Sequence, residues 1–144
     1  MNAKEYLNQI GKLDKLIENK MQELNHWKCM ALGTAGNMGG ERVQSSGNQQ
    51  KMADAICKYI DIEKDLTDAI NKLISTRQEV IDTIEQLPAG EYDILHKRYV
   101  QGKDFFEISD MMDKSYSNVT TLHGRGLSRV QKIIDAREKN NRNV

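Results

Sequence analysis

An all-α fold is predicted for this chain: a long antiparallel, coiled-coil-like helical hairpin followed by a smaller helix-turn-helix unit. Three observations predict it. Apolar residues recur at a 3,4 spacing through two long stretches. A glycine-rich connector separates those stretches. Near the end, DFFEISDMMDKSYSNVTTLHGRGL, residues 104–127, divides into two short apolar-striped helices around a tight turn.

The first helix is expected from about Ala3 to Leu32, with Leu7, Ile10, Leu13, Ile17, Met21, Leu24 and Trp27 on one face. The connector, about 33–49, carries five glycines within GTAGNMGGERVQSSGNQQ. It lacks a Gly-Lys-Ser/Thr ending and a preceding strand, so a phosphate loop is discounted. Its Glu41–Ser46 cluster is more definite than a linker requires, and it could dock on a partner or cap the next helix through Ser45, Ser46 or Asn48. The second helix is expected from about Gln50 to Leu87, with Ile56, Tyr59, Leu66, Ile70, Leu73, Val80, Ile84 and Leu87 as its seam. Glu63 and Arg77 interrupt that seam, and Ile60, Ile74 and Ile81 widen it. Such a helix, on the order of 55 Å long, needs a partner along one side. The first helix can supply it within the chain, and a second copy of the chain, as a homodimer, can supply it equally.

Residues 88–137 form the expected second domain, and 138–144 a basic polar tail. Asp104 is placed to cap its first motif helix, with Glu107 completing a capping box and Phe105, Ile108 and Met112 facing inward. Phe106 adjoins Phe105 and is expected outside. The turn falls at Asp113 and Lys114. Ser115 caps the second helix, whose Val119, Leu122, Gly126 and Leu127 face the first. Tyr116, Ser117, Asn118, Thr120 and Thr121 then point outward, a set of small hydrogen-bonding side chains suited to reading a DNA major groove.

Composition narrows the function classes. The chain has 21 basic and 21 acidic residues among 144 and a mean hydropathy of -0.68, and no apolar run is long enough to cross a bilayer. The first residues lack the apolar core of a signal peptide, so a cytoplasmic location is expected. Cys29 and Cys57 stand alone and are expected as reduced thiols; His26, His96 and His123 lack ligand spacing. No enzyme signature is present, and no cofactor or metal is expected. Charge is uneven: residues 114–144 hold seven basic and two acidic side chains, whereas residues 1–87 hold eleven and thirteen. The positive end coincides with the outward helix and its tail, where phosphate contacts would fall.

The stretch LPAGEYDILHKRYVQGKDFFEISDMMDKSYSNVTTLHGRGLSRV resembles region 4 of bacterial sigma factors, in its Leu87-Pro88, its Ile94, Leu95, Arg98, Tyr99 helix, Gly102, Glu107-Ile108, Ser115, Val119 and HGRGL tail. Three positions depart from that pattern. Asp113 replaces a glycine and tolerates the left-handed conformation, Lys114 replaces an apolar residue, and Ser109 replaces an alanine. Over nearly the whole chain, the hairpin, the VQSS loop and the LHGRGL ending are similar to ArpU-like transcriptional regulators of phages and prophages of Gram-positive bacteria. The resemblance implies a regulator that binds double-stranded DNA at promoters. Tyr116, Ser117, Asn118 and Thr121 would face base edges, and Lys114, Ser115, Thr120, Arg125 and Arg129 would lie near phosphates. It also implies contact with RNA polymerase or a resident sigma factor, with Arg98 and Tyr99 as supporting residues of the motif. Two other readings stay open: a terminase small subunit that binds DNA for packaging, and an adaptor that binds polymerase or a sigma factor without touching DNA.

Overall fold

The computed structural model describes residues 1–33 and 46–144, and every element in them is helical. Helix α1 spans Ala3–Ala31 and α2 spans Ser46–Ile84, and the two form a long antiparallel hairpin. Shorter helices follow and pack together: α3 (Ala89–Leu95), continued by a π-helical turn over His96–Val100, then α4 (Phe105–Met112) and α5 (Tyr116–Arg142). No helix among the described residues is long and apolar enough to cross a membrane. The glycine-rich connector, its Glu41–Ser46 cluster and the cap expected from Ser45, Ser46 or Asn48 lie outside the residues whose side chains are described.

Helix α1 opens on a capping box. Asn2 Oδ1 accepts the Glu5 backbone N–H at 2.8 Å, and Glu5 Oε2 accepts the Asn2 N–H at 3.4 Å. Its inward row is Ala3, Tyr6, Ile10, Leu13, Ile17, Lys20, Leu24, Trp27 and Ala31, an unbroken 3,4 repeat, with Leu7 buried and Gln9 and Cys29 half-buried beside it. In α2 the inward positions are Ala55, Tyr59, Ile62, Leu66, Ala69, Leu73, Thr76, Val80 and Thr83, with Leu87 just beyond, again an unbroken 3,4 repeat. Tyr59, Leu66, Leu73, Val80 and Leu87, with Ile84 buried beside them, stand as expected, and the rest of the expected seam is corrected. Ile56, Ile60, Ile70 and Ile74 are exposed, and Ala55, Ile62, Ala69, Thr76 and Thr83 take the inward places. Glu63 and Arg77, once the seam is drawn this way, interrupt nothing.

The ends of α2 also differ from expectation, lying at Ser46 and Ile84 rather than near Gln50 and Leu87. The C-terminal end tightens because Gln86 N–H bonds to Thr83 O at 3.3 Å and Leu87 N–H to Ile84 O at 3.1 Å. Both are three-residue turns of the kind that close a helix, and Pro88 disfavours a helical conformation at Leu87. Helix α5 runs on to Arg142, so residues 138–142, expected as a polar tail, are its last turns.

The chain forms two compact units, residues 13–72 and residues 1–12 with 73–144. In the second, Tyr6, Leu7 and Ile10 from α1, Val80 and Ile84 from α2, Leu95 and Tyr99, and Val130 and Ile134 from α5 make one core. Polar bonds key it. Tyr6 OH and Thr83 Oγ1 lie 3.0 Å apart in the interior, and Gln131 Oε1 accepts the Ala3 N–H at 2.7 Å. A smaller cluster of Ile94, Ile108 and Val119, flanked by Phe105, Met112 and Leu122, holds α4 against α5. In the unit 13–72, Ile17, Leu24, Trp27, Tyr59 and Leu66 are only half-buried.

Candidate nucleic-acid interface

The α4–turn–α5 segment is set by local bonds that the sequence encodes. Asp104 Oδ1 accepts the Glu107 N–H at 2.8 Å and starts α4. Asp113 ends it in the left-handed conformation, φ 52° and ψ 48°, which aspartate adopts at modest cost because its short polar side chain bonds locally. Ser109 donates its hydroxyl to the Lys114 carbonyl, and the Lys114 N–H returns to the Ser109 carbonyl at 3.1 Å. Ser109 therefore ties down the turn. Ser115 Oγ then accepts the Asn118 N–H at 3.1 Å and caps α5.

The face that α5 turns outward follows from its periodicity. Val119, Gly126, Val130 and Ile134 are buried along one side, and Ser117, Asn118, Thr121, Arg125, Ser128 and Lys132 are exposed along the other. The first turn of α5 holds no carboxylate, so the partial positive charge of its N-terminus is not neutralised within the helix.

Of the expected site residues, Tyr116 is exposed with its ring against Phe105 and Phe106 of α4, and the others separate into three groups. Ser117, Asn118, Thr121 and Arg125 share the exposed face, and Arg125 forms no salt bridge among the described residues. Thr120 and Thr121 both donate their hydroxyls to the Ser117 carbonyl, at 3.0 and 2.8 Å, which leaves their oxygens as acceptors. Ser115 spends one oxygen lone pair on the cap, and Lys114 and Thr120 are half-buried. Arg129 differs from the rest: its Nε lies 2.9 Å from Oε2 of Glu91, a carboxylate with 6% of its side-chain surface exposed. The N–H is not aligned on that oxygen, which accepts no hydrogen bond among the described residues, so the contact is an ion pair only. Lys132, seven residues beyond Arg125 on the same face, was not singled out by sequence reasoning; the i, i+7 spacing is the signal that finds it.

The supporting residues behave as expected of packing groups. Arg98 donates to the Lys103 carbonyl at 3.1 Å and lies 4.9 Å from the Phe105 ring centre. Tyr99 is buried, with its hydroxyl 2.8 Å from His123 Nε2 and the two rings stacked 5.7 Å apart. The π-helical turn, closed by Gln101 N–H to His96 O at 3.0 Å, widens the helix where Tyr99 sits. Gly102 follows at φ +72°, a conformation that favours glycine.

Burial, with Arg98 and Lys4 nearby, lowers the His123 pKa from 6.5 to about 4. The unfolded chain takes up this proton near 6.5 and the folded protein holds it off until about 4. Stability therefore falls with acidification through that window and the loss is complete below it. Between pH 7 and pH 5 the expected loss is about 1 kcal/mol, allowing for the ring's partial exposure. Urea unfolding midpoints at the two pH values should show it, and His123→Gln should flatten the dependence; an equally steep one in the variant would exclude His123 as its source.

Helix α4 has a different character. Residues 104–113 hold four exposed carboxylates, Asp104, Glu107, Asp110 and Asp113, and no basic residue. Phe106, 71% exposed, stands as expected outside, with its ring 4.9 Å from that of Tyr116. No group of His, Cys, Asp or Glu among the described residues could hold a metal ion. No family model, curated protein or solved structure matches this chain.

Proposed function

We propose that the protein is a sequence-specific DNA-binding regulator of transcription, acting at phage or prophage promoters in the manner of the regulators its sequence resembles. The observation that carries this reading is the exposed face of α5. Ser117, Asn118, Thr121 and Arg125 lie along one side of a serine-capped helix whose other side is buried in the motif. A helix presented in this way fits a major groove, with amide and hydroxyl groups at its start for base edges and cations farther along for phosphates. Asn118 is the best placed reader, since its exposed amide offers a donor and an acceptor to adenine.

Asn118→Ala is expected to weaken binding at the cognate site by about 1 to 3 kcal/mol and to relax discrimination at one base pair. Arg125→Ala should weaken binding to all sequences and lower the salt dependence by about one ion. Genome-wide footprinting in a host carrying the prophage, followed by competition binding on the occupied sequences, measures both. Occupancy at a packaging site would indicate the terminase reading instead.

The acidic, aromatic surface of α4 favours a second reading, an adaptor that binds polymerase or a sigma factor and leaves DNA alone. Carboxylates repel a phosphate backbone, and an exposed aromatic pair suits a protein contact. That reading predicts no measurable affinity for duplexes and retention of polymerase by the full chain, lost in Phe106→Ala.

A further inference from the structure

Helix α2 carries a second apolar stripe beside its inward one. Within the unit 13–72, Met52, Ile56, Ile60 and Ile70 are 43%, 47%, 57% and 39% exposed. Positions 56, 60, 63, 67 and 70 repeat the 4,3 spacing one step around the helix from the buried seam, so they form one continuous strip. Isolated exposed apolar residues are ordinary, whereas three isoleucines, Ile56, Ile60 and Ile70, on one strip at seam spacing with Glu63 and Thr67 between them are the pattern of a helix contact.

The order of residues along the strip selects the occupant. Outward from the Glu63–Lys64 peptide, Ile60 mirrors Thr67 and Ile56 mirrors Ile70 to within one residue. Two copies of α2 laid antiparallel about a two-fold axis at that peptide would set Ile56 against Ile70 and Ile60 against Thr67. They would also set Glu63 of each copy against Lys64 of the other, two reciprocal charge pairs. A parallel pairing in register would oppose Glu63 to Glu63. Glu63 and Lys64 are both exposed, and neither forms a salt bridge among the described residues. The strip is self-complementary in its central charges, Glu63 and Lys64, and in its outer isoleucines, Ile56 and Ile70, which an unrelated partner would not require.

We propose that the chain associates with a second copy of itself through this face of α2, as an antiparallel two-fold dimer centred on Glu63 and Lys64. The inference stands apart from the DNA-binding reading. If both hold, the dimer brings two copies of α5 and its target is two-fold symmetric.

Sedimentation equilibrium of the full chain tests it. The expected mass is twice the 16.5 kDa of one chain. Ile56→Lys/Ile70→Lys should give the mass of one chain with unchanged helicity, since both side chains are exposed. Glu63→Lys alone and Lys64→Glu alone should each weaken the dimer at least about fivefold by setting like charges across the axis. The exchange Glu63→Lys/Lys64→Glu should restore it. A monomeric parent chain, a dimer indifferent to the isoleucine pair, or a charge exchange that fails to rescue the single variants would each overturn the proposal.

Discussion

Replacing Leu95 by alanine is expected to lower the unfolding free energy by about 3 to 4 kcal/mol, a large share of what holds a domain of this size together. Leu95 ends α3 with no exposed surface, inside the cluster that joins Leu7, Val80, Ile84 and Val130. The same side chain sets the approach of α5, since a Cβ at Gly126 would lie 3.1 Å from Leu95 Cδ1 and 3.2 Å from its Cγ. Gly126→Ala therefore sets a gain in helix propensity of about 1 kcal/mol against crowding of about 1 to 3 kcal/mol, and a fully buried leucine has little room to yield. A net loss is expected in the parent chain. With Leu95→Ala in place the crowding is relieved, and Gly126→Ala should turn stabilising. Urea denaturation of the parent and the three variants of this cycle measures the coupling. A Leu95→Ala loss under about 1 kcal/mol, or an equal Gly126→Ala effect in both backgrounds, would show that this contact does not set the spacing of α3 and α5.

How far such contacts can be read from sequence depends on their range. The caps at Asp104 and Ser115 and the left-handed Asp113 were legible because each is made within four residues of chain. The outward set Ser117, Asn118 and Thr121 was legible from helical period alone. The hairpin was legible as an architecture and its α2 seam in part: Tyr59, Leu66, Leu73, Val80, Ile84 and Leu87 face inward as expected, whereas Ile56 and Ile70 do not. Counting only large apolar residues moved the α2 seam to Ile56 and Ile70, whereas the buried row is completed by Ala55, Ala69, Thr76 and Thr83. Small residues carry weak hydrophobic signal, yet they suit positions where two helices approach closely, and Thr83 donates its hydroxyl to the Glu79 carbonyl at 2.9 Å while its oxygen accepts from Tyr6 OH. The π-helical turn was invisible because it accompanies the packing of Tyr99 against His123, twenty-four residues away. The burial of Glu91 was invisible for the same reason, since glutamate is ordinarily exposed and its cation lies in another helix.

That last pair sets the second large effect, because it bears on which arginine is available to the proposed DNA contact. Arg129→Ala is expected to destabilise the protein by about 2 kcal/mol or more. The substitution leaves the Glu91 carboxylate, 5% exposed, without the guanidinium 2.9 Å from its Oε2. An ion pair whose cation is itself half in water stabilises modestly, but a buried anion stripped of its partner retains the whole desolvation penalty. Glu91→Gln in the same chain removes that charge, so Glu91→Gln/Arg129→Ala should recover most of the loss while Glu91→Gln alone costs little. Chemical denaturation of the three variants decides it. An Arg129→Ala protein as stable as its parent would mean that the pair contributes nothing to folding and that Arg129 stands as available to a phosphate as Arg125. If the loss is found, any weakening of DNA binding by Arg129→Ala carries the disturbance of α3 with it. Arg125, exposed on the Ser117, Asn118 and Thr121 face and outside every salt bridge among the described residues, is then the arginine whose removal tests phosphate contact without loosening the fold.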